Sequence, residues 1–226
     1  MFSQTRTLLR THQRFRDVQA RTSAAGELKN RLLETDLTRS QRMTICRPGD
    51  EGRDALESLV RNAFARQHGA QVHSFMPSLL GLWGTTGRPA GAVGYRGAEE
   101  GPLFLENYLS DSVEALIERR TAQSVARREI VEVGNLAGVN CRAACRLVAA
   151  LPPILLAQGR RWIVFTATAT VRAVLTKLGA SLVELAAADA VKAPAGDDWG
   201  RYYTRDPRVM VGYLPELLRR HRPQTV

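Results

Sequence analysis

Short apolar runs separated by polar and glycine-rich punctuation set the rhythm of this chain, and their period changes along it. Runs rich in β-branched and aromatic residues predict strands over 43–47, 78–83, 90–96, 129–137, 162–168, 180–186 and 209–213. Helical spacing takes over between them. Leu56, Leu59, Val60 and Phe64 share one face of a helix over 53–67, and Gly69 follows as its stop. Ser112 is placed to cap a helix reaching 123, with Val113, Leu116 and Ile117 inward. Asn140 is placed to cap another over 141–158, in which Leu147, Leu151 and Leu155 line up. Pro152 lies inside that helix and predicts a kink or an interruption. Two further helices are expected over 171–178 and 215–222.

The strands over 78–83 and 90–96 are joined by Gly84-Thr85-Thr86-Gly87-Arg88-Pro89, which reads as a hairpin turn. The second half alternates strand, helix, strand, helix, strand. An antiparallel front followed by βαβαβ predicts an α/β (α+β) fold: a mixed, mostly antiparallel central sheet with helices on both faces. The chain divides into an arginine-rich, helical and partly flexible extension over 1–40, a folded domain over 41–214, and a basic terminal helix or tail over 215–226.

Within this pattern Arg128-Glu129-Ile130-Val131-Glu132-Val133-Gly134-Asn135 stands out. It reads as a buried strand, yet Glu132 sits in its middle. Burying a carboxylate costs several kcal/mol unless it is paired or faces a cleft. Gly134 then marks a place where the strand can bulge or a ligand can approach the backbone. The helix capped by Asn140 begins just beyond, so its first N–H groups point beside the sheet and suit a phosphate, with Arg142 and Arg146 one turn apart on the same helix. The bland reading is an edge strand whose glutamate faces water, followed by a solvated helix face.

The net charge is +10, carried mostly by arginines scattered along the chain. They form no block interleaved with aromatics, as a single-strand binder would need, so nucleic acid is not the expected partner. An acidic carrier protein fits such a surface. Three cysteines make no CxxC and no disulfide framework, and Cys141 and Cys145, four apart on a helix, read as small buried helix residues, so no metal site is expected. No apolar run reaches the length of a membrane span, and no secretory signal is evident, which points to the cytoplasm.

Several separate stretches carry a resemblance in the right order: Phe75-Met76-Pro77-Ser78-Leu79-Leu80, Ala92-Val93-Gly94-Tyr95-Arg96, Leu103-Phe104-Leu105-Glu106-Asn107-Tyr108-Leu109, Ile130 to Ala137, Trp162 to Thr168 and Trp199-Gly200-Arg201-Tyr202-Tyr203. Together they make the chain resemble the thermostable hemolysin family, which is similar to the GNAT acyltransferases and the acyl-homoserine-lactone synthases. In the lactone synthases, whose amino-acid donor is S-adenosylmethionine, a strand bearing Glu-x-Ser-Arg occupies the place of Glu132 to Asn135. Glu132 matches, and Asn135 stands where they carry arginine. The GNAT turn Arg/Gln-x-x-Gly-x-Gly/Ala corresponds to Asn135-Leu136-Ala137-Gly138-Val139-Asn140, where Gly138 fits one place and the basic start and last glycine are missing.

The resemblance implies transfer of a fatty acyl group from a thioester, an acyl carrier protein or coenzyme A, to an amine or amino acid, with no permanently bound cofactor. Such chemistry needs a proton acceptor for the amine and donors for the tetrahedral oxyanion. Glu132 and Glu106 are the candidate acids, with Glu106 expected on the neighbouring antiparallel strand. Tyr203, or Tyr202, is the candidate proton donor to the leaving thiolate. Gly134, Asn135, Gly138, Asn140 and Arg142 are the candidate donor-binding positions, and Phe75 and His73 the candidate lining of the substrate entrance. The alternative, suggested by the family name and the charge, is a non-enzymatic membrane-active protein or one that binds an anionic partner.

Overall fold

The computed structural model describes residues 42–194 and 196–219. The helical extension expected over 1–40 and the end of the tail beyond 219 lie outside the described residues. The remainder forms a seven-stranded sheet: β1 (Arg42–Cys46), β2 (Ser78–Trp83), β3 (Pro89–Gly97), β4 (Ile130–Gly138), β5 (Trp162–Ala167), β6 (Leu182–Ala187) and β7 (Arg208–Tyr213). Five helices accompany it: α1 (Arg53–His68), α2 (Val113–Thr121), α3 (Cys141–Ala157), α4 (Ala169–Lys177) and α5 (Leu214–Arg219).

The spatial order is β1-β2-β3-β4-β5-β7-β6. Among the described strands β4 and β5 are the one parallel pair of neighbours, and every other pairing is antiparallel. The mixed, mostly antiparallel sheet is as expected. Its last part is not a plain βαβαβ: β7 inserts between β5 and β6 and pairs antiparallel with both.

Strand alternation sorts the cores. On one face Leu79, Trp83, Ala92 and Ala137 pack against Leu56 and Val60 of α1. Farther along that face Ile130, Trp162, Val164, Val209 and Val211 pack against Leu105, Tyr108 and the inner side of α2. On the opposite face Leu80, Val93, Val131 and Ile163 meet Leu147, Leu151 and Leu155 of α3 and Leu214 and Leu217 of α5. The first turns of the terminal helix thus belong to the domain core.

Two local expectations change. Helix α3 runs on through Pro152 and Pro153 to Ala157 instead of breaking there. Its apolar residues are buried on both sides of the proline pair, and that packing outweighs the missing backbone hydrogen bonds. Cys141 and Cys145 are not buried helix residues: the first is exposed, the second half-buried, and their Sγ atoms lie 3.8 Å apart.

Candidate functional site

The parallel ladder between β4 and β5 runs only from Ile130/Trp162 to Val133/Phe165. Strand β4 continues to Gly138 and β5 to Ala167, so the two strands part company at Gly134. The departure coincides with a bulge. In the β3–β4 ladder Gly94 faces Gly134 and Ala92 faces Ala137, leaving Asn135 and Leu136 opposite Val93 alone. Asn135 carries the bulge with φ of 51°, a conformation asparagine tolerates better than most residues. The bulge foreseen at Gly134 therefore falls one residue later.

The Asn135 side chain anchors a wall beside this opening. Its Oδ1 accepts from the Met76 N–H at 2.8 Å. The Met76 side chain crosses Gly134, where an added Cβ would lie 3.0 Å from Cε. Buried Arg53 fixes the same segment from below, donating to the carbonyls of Met76 and Pro77 at 2.8 and 3.2 Å. Upstream, Gln71 pairs with Asp198 in an antiparallel bridge, and Asp197 accepts from the His73 and Ser74 N–H groups. Residues 71–74 are thereby joined to Asp197 and Asp198.

Glu132 lies on the face of Gly134, only 3 % exposed. Its carboxylate accepts from the Phe104 and Leu105 N–H groups, each at 2.9 Å, and from Arg96 Nη2 at 3.3 Å. Burial pushes its pKa up, while the two peptide N–H groups and Arg96 pull it back. The acid that looked anomalous in a β-run thus ties β4 to the short 3₁₀ turn Phe104–Tyr108.

Glu106 lies in that 3₁₀ turn, not on a neighbouring strand as expected. The segment turns because Glu106 accepts from the Leu103 N–H at 2.8 Å. Arg127 holds both of its oxygens, at 2.8 and 2.9 Å, and keeps its pKa low despite partial burial. This carboxylate stays ionised and paired, which makes it a weak proton acceptor.

From the turn an aromatic cluster spreads toward the C-terminal half. The Phe104 ring lies 5.7 Å from Trp199 and 6.0 Å from Tyr108, centroid to centroid. Tyr203 touches Trp199, Tyr202 and Tyr108, and its hydroxyl is 2.6 Å from that of Tyr108. Tyr202 donates to the Thr166 carbonyl on β5 at 3.3 Å, securing the cluster to the far side of the opening. Burial raises the pKa of all three phenols. A phenol with a raised folded pKa contributes stability that is complete below its unfolded value of about 10 and is lost as pH rises through the folded value. Three of the five tyrosines should accordingly gain their 295 nm phenolate absorbance only as the fold opens at alkaline pH. Their titration with the fold intact would contradict this burial.

The other expected residues are dispersed. Phe75 packs toward α1, with the Arg61 guanidinium 5.2 Å over its ring, and His73 is exposed. Asn140 caps α3 by accepting from Ala143 N–H at 2.9 Å. Gly138 lets that helix start against the strand end, since a Cβ there would come within 2.8 Å of the Asn140 carbonyl oxygen. Arg142 is exposed on the first turn of α3. Sequence reasoning assigned no role to His68, Arg96, Phe104, Tyr108 and Arg127. For Arg127 and Glu106 the charges were visible, but the fold that joins them was not.

The profile of the thermostable hemolysin family matches residues 46–217. No curated protein matches the sequence. Among solved structures the fold is similar to that of FeeM, an N-acyl amino acid synthase from uncultured soil microbes, with a TM-score of 0.56 and 14% identity over 80% of this chain and 94% of that one. It is similar to the AHL synthase LasI, with a TM-score of 0.52 and 16% identity over 78% and 91%. The CoA-dependent acyl-homoserine lactone synthase BjaI, solved with MTA, gives 0.55 and 16% over 80% and 88%. At such identities the likeness establishes a shared fold.

Proposed function

The chain belongs to the thermostable hemolysin family, and from that premise and the site geometry we propose that it is an N-acyltransferase. It moves a fatty acyl group from a thioester, on acyl carrier protein or coenzyme A, to an amine or amino-acid acceptor. The observation that carries this reading is the parting of parallel β4 and β5 beyond Val133 and Phe165, beside the Asn135 bulge. Diverging strands leave edge N–H and C=O groups that can hold an extended thioester arm as an added strand would be held.

The amine nitrogen attacks the thioester carbonyl carbon, the C–S bond breaks, the nitrogen gives up a proton and the thiolate receives one. Backbone N–H groups at Gly134 and Asn135 suit the oxyanion that forms between these steps. Raised pKa values make the Tyr203 and Tyr108 hydroxyls weak acids, so they suit a hydrogen bond to the departing sulfur, and the proton that the nitrogen gives up reaches it through water. Glu132 acts as a positioning residue that fixes Phe104 and, through the 3₁₀ turn, Tyr108. Its Oε2 accepts from Phe104 and Arg96 and its Oε1 from Leu105 alone, so the one acceptor site left for a proton is on Oε1. Glu106 stays with Arg127. The basic surface suits an acidic carrier, and Arg142 lies at the helix start nearest the strand divergence.

The test is thiol release from acyl-CoA and acyl-carrier protein across a panel of amines and amino acids. Release that depends on the amine, with a matching N-acyl product by mass, is the expected result. No amine-dependent release from any pairing would overturn the proposal. Leakage from anionic vesicles in the absence of transfer would favour the membrane-active alternative, although no helix among the described residues is long and apolar enough to cross a membrane.

A further inference from the structure

Two glycines on neighbouring strands face each other where the sheet opens. Gly94 of β3 stands opposite Gly134 of β4, and the ladder between β4 and β5 has just ended at Val133 and Phe165. A glycine inside a strand gives up side-chain packing and marks a place where something approaches the backbone closely. Here the half-buried Met76 makes that approach. A Cβ added to Gly94 would lie 2.7 Å from Met76 Cβ and 2.9 Å from its Cγ, and one added to Gly134 would lie 3.9 Å from Cγ and 3.0 Å from Cε. The arm thus starts over β3, crosses the glycine pair and ends with its methyl over β4, pointing toward the edge that β5 has left.

The trough is stiff and its occupant is not. The Met76 N–H donates to Asn135 Oδ1 at 2.8 Å, and its carbonyl accepts from buried Arg53 at 2.8 Å. Pro77 follows with its fixed φ, and Arg53 holds that carbonyl too, at 3.2 Å. Only the thioether arm, unbranched and soft, is free to adapt. Without the arm, a floor of two glycines has no side chain to fall into the gap, and a clamped backbone cannot follow. The space would persist, since the collapse of such a gap depends on neighbours that can move.

The chemistry of the arm selects what meets it. A methyl and a thioether offer no charge and no donor to an amine or a carboxylate, and they match an alkyl chain. An alkyl chain that runs from a thioester at Gly134 along the trough meets the Met76 methyl head-on.

Resting on the acyltransferase reading, we infer that Met76 is the stop at the end of the acyl slot. The fatty chain lies over Gly134, and the Met76 methyl limits its length. Each methylene that fits before the stop tightens binding about fourfold. The first that does not fit has to push the arm off its glycines.

The test uses S-alkyl phosphopantetheines, the arm common to both donors with an unreactive thioether in place of the thioester. They are titrated calorimetrically into the whole chain in order of alkyl length. Affinity should rise about fourfold per methylene up to a limit and fall beyond it. Met76→Ala should raise that limit by about three methylenes, the length of the arm removed, and Met76→Val by about two. Met76→Leu, close in volume, should keep the limit within about one methylene. In acyl transfer the same shift should appear in the KM of the thioester series, with the KM of the amine unchanged. An unchanged limit in Met76→Ala and Met76→Val, or an altered amine KM with the length preference intact, would overturn the inference alone. So would affinity that climbs with length and reaches no limit in the unaltered chain, a result that stands even where a variant fails to fold. If no arm binds and no thioester is consumed, the acyltransferase reading falls and this inference with it. A limit that moves in Met76→Ala without transfer to any amine would sink the enzymatic reading and leave the slot.

Discussion

Replacing Glu132 with alanine is expected to lower the unfolding free energy by about 3–5 kcal/mol, the cost of breaking a buried charge pair by removing one partner. The side chain meets two peptide N–H groups and a guanidinium, and the two N–H groups lose their acceptor when the carboxylate goes. Arg96 also donates to the Pro102 carbonyl, so it keeps one partner, but its Nε is already buried and unpaired. Glutamine is a milder replacement with a specific defect. It offers one oxygen to two peptide donors and turns an NH₂ group toward the other, so a loss of about 1–3 kcal/mol is expected. Urea unfolding measures both. A change below about 1 kcal/mol for the alanine variant would mean that Glu132 is not the tie between β4 and the Phe104–Tyr108 turn. The consequence for enzymology is direct: lost activity in either variant reports on the position of Phe104 and Tyr108 as well as on proton transfer. Activity should therefore be compared at temperatures where the variant is still folded.

The strand that bears Glu132 was legible because β-periodicity and a charge at odds with it are both local. The same holds for the caps at Ser112 and Asn140, whose side chains accept from the N–H three residues on. What was not legible is non-local. A strand over 208–213 announces itself by its β-branched residues, but nothing in it says that it will lie between β5 and β6. Glu106 sits in an apolar segment that reads as extended, and only its bond back to Leu103 N–H converts that segment into a turn. Phe104 and Trp199 are nearly a hundred residues apart, and their contact follows from the Gln71–Asp198 bridge and the Gly200 approach to α1, both products of the fold. Pro152 misled for the opposite reason. A local rule worth about 3 kcal/mol was overridden by leucines buried on either side of it.

Gly134→Leu is expected to separate the opening from the stability of the fold. The residue lies half-buried just beyond the last point where β4 and β5 are in register, with the flexible end of Met76 over it. An added Cβ would meet Met76 Cε at 3.0 Å, and a thioether end can swing aside. The leucine branch then occupies the space between the diverging strands. A thioester displaced there by about 1 Å loses its alignment with both the amine and the backbone donors, and a fall in kcat/KM of about 100-fold follows. The unfolding midpoint should move much less than in the Glu132→Ala variant, because no buried hydrogen bond is broken. Gly94 supplies the control on the neighbouring strand. Its Cβ would meet Met76 Cβ at 2.7 Å and Asn135 Oδ1 at 2.9 Å, atoms close to the backbone or committed to holding the wall. Gly94→Ala should therefore cost stability first and activity through it. Steady-state kinetics beside thermal unfolding distinguishes the two. If Gly134→Leu keeps full acyl transfer, the divergence of β4 and β5 is not where the thioester lies, and the donor must be sought elsewhere on the fold.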